Sequence, residues 1–231
     1  MWLFGIVFVA LGVAICSKAD LGVSMIAAPA FVVSDALAGI WSGFSVGVVE
    51  YGLQGILLIA MCLVVGKFNW RYLLAFAVAV IYGYTLDLFL WMLGGVAFET
   101  VAMRWVMLIV GDIITAFGVA CFFHTYMPLQ VYELFVAEVA SRFGFKLTAT
   151  KCGFDMSLLA ISVILVFVLF GGEGGFDLSA IGYASFHSIG LGTLVTTVIN
   201  SPIIGFMSKM IDKIFDPTPM FPKAETALKR N

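Results

Sequence analysis

Apolar residues fill this chain for about twenty positions at a time, and short polar breaks separate the runs. Six runs stand out, at about 2–19, 43–65, 71–94, 102–124, 150–171 and 188–208. A bilayer core of about 30 Å needs about 20 apolar residues per helix, so each run predicts a membrane-spanning helix. Two further segments, 24–40 and 128–143, are too polar or too short to span. They read as re-entrant or interfacial helices, the first interrupted by Pro29 and Asp35. Polar breaks fall at 66–71, 94–100 and 171–177. The tail after Ile211 carries Pro217, Pro219, Pro222, Lys223, Lys229 and Arg230 and is expected to be disordered at its end. The fold class is therefore all-α: a polytopic membrane protein of about six transmembrane helices plus two short re-entrant or interfacial ones.

The order of elements repeats. Gly12-Val-Ala lies near the end of the first run and Gly118-Val-Ala near the end of the fourth; in each case a short segment and two spans follow. Three spans per unit is an odd number, so the second unit enters the bilayer from the opposite side. This predicts an inverted-topology 3+3 repeat, as in many secondary transporters. The units are 1–97 and 98–211, with 212–231 as a tail. Basic residues set the orientation. With the N-terminus inside, the inner side holds Lys67, Arg71, Arg142, Lys146, Lys209, Lys213, Lys223, Lys229 and Arg230, and the outer side only Lys18 and Arg104. Both termini are expected to be cytoplasmic.

Ionisable groups inside apolar runs are costly, by about 2.5–3.5 kcal/mol on insertion scales, and should face the bundle with a partner. Gly43, Gly47, Glu50 and Gln54 share one face of the second span. Thr148, Lys151, Asp155 and Ser162 share one face of the fifth. The two stripes hold equivalent places in the two units and are expected to face each other and line a central site. Asp87 in the third span and Asn200 in the sixth read as counterparts, beside Thr193, Thr197 and Ser201. Pro202 removes a helix hydrogen bond there, and freed carbonyls could hold a cation or substrate. Glu50, Asp87 and Asp112 are candidates for proton coupling. The substrate-binding candidates are Glu50, Gln54, Asp87, Lys151, Asp155 and Asn200; a polar clamp without ligand is the alternative. His124 reads as interfacial, and Glu133 and Glu138 as facing water.

Composition agrees with a lipid environment. The chain is 62% hydrophobic and 11% charged, against about 45–50% and about 25% in soluble domains. The net charge of −2 does not point to nucleic acid. The scattered cysteines Cys16, Cys62, Cys121 and Cys152 suggest neither disulfides nor a zinc site. Met1-Trp-Leu-Phe lacks a basic signal-peptide region, so cleavage is not expected. No HExxH, phosphate-binding loop or dinucleotide fingerprint occurs, so an enzyme is not expected and no cofactor is implied.

Lys18-Ala-Asp20-Leu-Gly22-Val-Ser24, Lys151…Phe154-Asp155, Gly190-Leu-Gly192-Thr193 and Ser201-Pro202-Ile-Ile-Gly205 give the chain a further character. In these stretches it resembles the YczE/YitT-type bacterial integral membrane proteins. After Ser24 it departs from them, with Met25-Ile-Ala where many relatives continue Pro-Trp-Asp. The resemblance implies a bacterial plasma-membrane protein of transporter-like character, with no substrate and no site residues to carry over.

Three functional readings follow. The first is a small transporter for a polar small molecule or ion, working by alternating access about the central polar site. The second is a substrate-capture component of an importer driven by a partner ATPase. The third is a non-transporting membrane scaffold or assembly factor. Association into a homodimer is left open by the sequence.

Overall fold

The computed structural model describes residues 2–39, 43–66, 68–124, 129–171 and 188–214. The expected tail and the 172–187 loop, with His187, therefore lie outside the described residues, as do Pro128 and Trp41. The helices are α1 (Trp2–Lys18), α2 (Ala28–Ala38), α3 (Val46–Val65), α4 (Arg71–Met92), α5 (Val101–Phe123), α6 (Val131–Phe143), α7 (Leu147–Phe170) and α8 (Leu191–Ile214). Local chemistry marks their ends. The Ser45 hydroxyl accepts from Val48 N–H at the start of α3, and Thr100 accepts from Met103 N–H at the start of α5. Left-handed glycines at 66 and 144 stop α3 and α6, where a side chain would be strained.

Five helices are long and apolar enough to cross a membrane: α3, α4, α5, α7 and α8. At 17 residues α1 is shorter, rising roughly 25 Å, yet it lies along α5 for most of its length. Large apolar side chains point outward from the spans, Leu63 and Trp91 at 79% exposure and Val168 and Val198 at 73%. Only lipid makes that surface stable.

The tightest seam is between α1 and α5. A Cβ on Gly12 would sit 2.5 Å from the Gly111 carbonyl, and one on Gly118 would sit 2.9 Å from that of Gly5. Pairing 5 with 118 and 12 with 111 means the two helices are antiparallel. Small residues let the backbones approach this closely. Adding 106 to a position on α1 gives its counterpart on α5: Gly5 becomes Gly111, Val9 becomes Thr115, and Gly12 becomes Gly118. The contacts obey the same shift. Gly12 meets Thr115 as Gly118 meets Val9, and Gly111 meets Cys16 as Gly5 meets Phe122.

The helix neighbours follow the same exchange. Pairs α3·α4 and α7·α8 correspond, as do α1·α4 and α5·α8, α2·α7 and α3·α6, and α2·α3 and α6·α7. Among the described residues α4·α6 alone has no counterpart. At the end of the bundle where α1 finishes, Arg104 bonds Asp20 at 3.0 Å. At the opposite end His124 bonds Asp212 at 2.8 Å and ties α5 to α8. These are called the Arg104 end and the His124 end below.

The two short helices start deep and finish exposed. Residues 27–32 are buried at the start of α2, whereas Asp35, Ala38 and Gly39 are exposed at the Arg104 end. Gln130, Val131, Tyr132 and Glu133 are buried at the start of α6, whereas 141–149 are exposed at the other end. Ile26, just before α2, packs with Tyr132, Phe154 and Leu158, so the deep ends meet inside the bundle. Buried starts of this kind suit segments that dip into the bilayer and return.

The short helices also change one expectation. Among the described residues the backbones of α3 and α7 do not approach each other closely; α2 and α6 each pack against both and stand between them. The two polar stripes therefore do not face each other directly.

The α1–α5 seam generates a prediction. Gly12→Val or Gly118→Val should cost about 1–3 kcal/mol by overpacking and lower the melting temperature in detergent. Gly153→Ala, where a Cβ meets nothing within 4 Å, should leave it unchanged.

Candidate functional site

The buried polar side chains of α3, α5, α6, α7 and α8 form a row through the interior. It begins on α3, where the Gln54 amide donates to Glu50 at 3.3 Å; both residues are fully buried. The Tyr132 phenol of α6 lies against the Glu50 carboxyl, and Tyr82 of α4 faces both Glu50 and Glu133. Glu133 comes next, one position after Tyr132, within electrostatic reach of Lys151 and Asp155. On α7, Lys151 donates to Asp155 at 3.3 Å, one turn apart along the helix. Ser201 of α8 sits beside Asp155, and Asp155 is within reach of Asp112 on α5. The row ends where Asn200 donates to Asp112 at 2.7 Å.

Helix geometry explains the row. Residues four apart share a face, so each stripe turns inward as a unit. Glu50 and Lys151 are each the fifth residue of their helix, α3 and α7. The structure therefore brings Glu50 with Gln54, and Lys151 with Asp155. It joins the two pairs through Glu133 rather than directly.

Asp87 has a different setting. Its carboxylate accepts from the Ser45 hydroxyl at 2.6 Å and from Gly47 N–H at 2.8 Å, capping the start of α3. A carboxylate there also meets the positive end of the helix dipole. Asn200, read as its counterpart in the second unit, donates to Asp112. Pro202 likewise differs from expectation. It and Val198, whose carbonyl it leaves free, both face outward, so that carbonyl does not join the row.

Glu133 is the residue that sequence reasoning misplaced. It was expected to face water and is 3% exposed, because α6 begins inside the bundle. Its signal was present: Glu133, Val136 and Ala140 fall at i, i+3 and i+7, and all three are buried. Glu138 is half-buried.

A recess of about 120 Å³ reaches the row from the His124 end. Lys151 and Ser201 line it with Thr148, Gly205 and Ser208. Among the described residues no three His, Cys, Asp or Glu side chains converge as a metal site.

A second polar junction lies at the Arg104 end. Val23 N–H donates to Ser188 C=O at 2.9 Å, and Gly192 N–H to Leu21 C=O at 2.8 Å. Gly22, at φ +110°, lies so close to Gly190 that a Cβ would be 2.6 Å from its nitrogen. The Asp20-Leu-Gly22-Val and Gly190-Leu-Gly192-Thr motifs thus form one knot between the two ends of the chain.

Outward apolar spans around an inward polar row define a polytopic helical membrane protein. The chain belongs to the family of unknown function DUF6198, which it matches over residues 1–209. That match does not extend to the YczE/YitT name, so the likeness in the sequence remains a likeness. No curated protein and no solved structure matches the chain.

The Lys151–Asp155 pair can be tested by stability. Lys151→Met alone leaves Asp155 buried beside no cation, and breaking a buried pair costs about 3–5 kcal/mol. Lys151→Met combined with Asp155→Leu should recover most of that loss in thermal unfolding.

Proposed function

We propose that this protein is a small transporter of the bacterial plasma membrane, moving a polar small molecule or ion by alternating access about the interior row. Glu50, Gln54, Lys151, Asp155 and Asn200 line the site, and Glu133 joins its two sides. Asp87 serves the site at one remove, by fixing the start of α3.

One observation carries this reading: the exchange relation between α1–α4 and α5–α8. The shift of 106 carries Gly5 to Gly111 and Gly12 to Gly118, the glycines of the α1–α5 seam, and the helix neighbours exchange in pairs. Antiparallel α1 and α5 then correspond to an inverted repeat of 1–97 and 98–211. Such repeats can rock against each other around a site at mid-membrane. The buried starts of α2 and α6 fit discontinuous elements at such a site. The recess at the His124 end supplies a path to Lys151. On the basic-residue count the His124 end is cytoplasmic and both termini are inside.

The experiment is flux in proteoliposomes holding only this chain, with a ligand first identified by a thermal-shift screen. Glu50→Gln should keep the melting temperature within a few degrees and reduce uptake by about tenfold or more. Normal uptake by this variant would remove Glu50 from the mechanism. Flux without any second protein would also separate the proposal from a capture component that requires a partner ATPase.

A further inference from the structure

The row has a one-sided demand for hydrogen bonds. Among the described residues seven buried side-chain atoms lack a hydrogen-bond partner: Glu50 Oε2, Gln54 Oε1, Asp112 Oδ2, Glu133 Oε2, Asp155 Oδ2, Asn200 Oδ1 and Ser201 Oγ. Six of them are carboxylate or amide oxygens, which as drawn only accept. The amide orientations are not arbitrary, because Gln54 and Asn200 each turn their NH₂ toward a carboxylate. Gln54, Asn200 and Lys151 each give one N–H bond to a carboxylate, and the atoms left unmet are mostly acceptors.

Charge points the same way. The row holds four carboxylates, on Glu50, Asp112, Glu133 and Asp155, against the single ammonium of Lys151. An anionic ligand would add acceptors and negative charge where both are already in excess. A neutral acceptor such as a ketone would leave the deficit unmet. What satisfies the row is a group that brings N–H or O–H donors with positive charge. Protons satisfy it as well, since a protonated carboxyl becomes a donor.

The geometry also separates the acids. They stand along the row on four helices, α3, α5, α6 and α7, and among the described residues do not converge as a chelating cage. That arrangement suits several separate donors better than one multivalent metal ion. Lys151 is itself an instance of the chemistry: a primary ammonium held by Asp155 and within reach of Glu133.

We propose that the interior row takes a small cation bearing N–H donors, of the primary-ammonium class, in exchange for protons on Glu50 and Glu133. This rests on the reading of the row as a ligand site and names its ligand class. The groups facing Glu133 in this exchange are Glu50 from α3, Tyr82 from α4, Tyr132 beside it on α6, and Lys151 and Asp155 from α7. When a cation occupies the row the carboxylates are ionised; when it leaves they regain protons.

The test uses dicyclohexylcarbodiimide, an apolar reagent that modifies carboxyl groups in their protonated form, on the full chain in detergent. Modified residues are located by mass spectrometry. Labelling of at least one of Glu50 and Glu133 is expected near pH 6 and should fall as the pH rises toward about 9. Methylammonium at constant ionic strength should suppress it by about tenfold, and acetate should not. Glu133→Gln should remove its own label and leave the melting temperature in place, which separates lost chemistry from lost fold. No labelling of these acids from about pH 5 to about pH 9, or labelling that methylammonium leaves unchanged, overturns the proposal. The readout is occupancy in detergent. Protection by methylammonium without flux in liposomes would therefore keep this site and reject transport, and flux without protection would do the reverse.

Discussion

Close contact between α1 and α5 is the constraint on which the remaining arrangement depends. Lipid offers no hydrophobic incentive for two apolar helices to associate, so packing must supply it. Glycines at 5, 12, 111 and 118 remove the side chains that would hold the backbones apart. With that seam closed, α4 packs against α1 and α8 against α5. The outer helices α3 and α7 then hang from α4 and α8. A space is left between them, which α2 and α6 fill. The position of the polar row is a consequence, since its members sit on α3, α5, α6, α7 and α8.

The row illustrates how a membrane interior treats charge. Each ionisable group has at least one neighbour of suitable chemistry: Gln54 for Glu50, Lys151 for Asp155, Asn200 for Asp112. None is fully satisfied. Partial pairing keeps the protein folded while leaving unmet acceptors in the middle of the bundle. A static clamp would gain from meeting them all, because a half-satisfied buried network is costly. That difference favours a site over a clamp.

Much of this was legible in the sequence. Run length located the spans to within a few residues, because a 30 Å slab sets helix length directly. Spacing four apart picked out Glu50 with Gln54 and Lys151 with Asp155, because helix pitch is a local property. What failed was non-local. The spacing of Glu133 with Val136 and Ala140 puts it on the apolar face of α6, but amphipathic spacing describes a face and not what covers it. Asp87 looked like a site carboxylate because burial at mid-helix is visible, whereas its partners, Ser45 and the Gly47 N–H, belong to another helix. The half-helices were recognised as short, but not as wedges between α3 and α7. The glycine motifs at 22 and at 190–192 stood out as patterns, yet their mutual contact could not be read from either.

That knot has a bearing on how the protein is made. The hydrogen bonds from Val23 to Ser188 and from Gly192 to Leu21 join segments separated by most of the chain. A polypeptide emerges from the ribosome in order, so the loop after the first helix waits for its partners until nearly all of the protein has been synthesised. Asp112 likewise waits for Asn200. Until then the backbone groups of that loop are left to water at the membrane surface. Arrival of the last helix completes them, and assembly of this bundle is a late, concerted closing rather than a stepwise addition of finished parts.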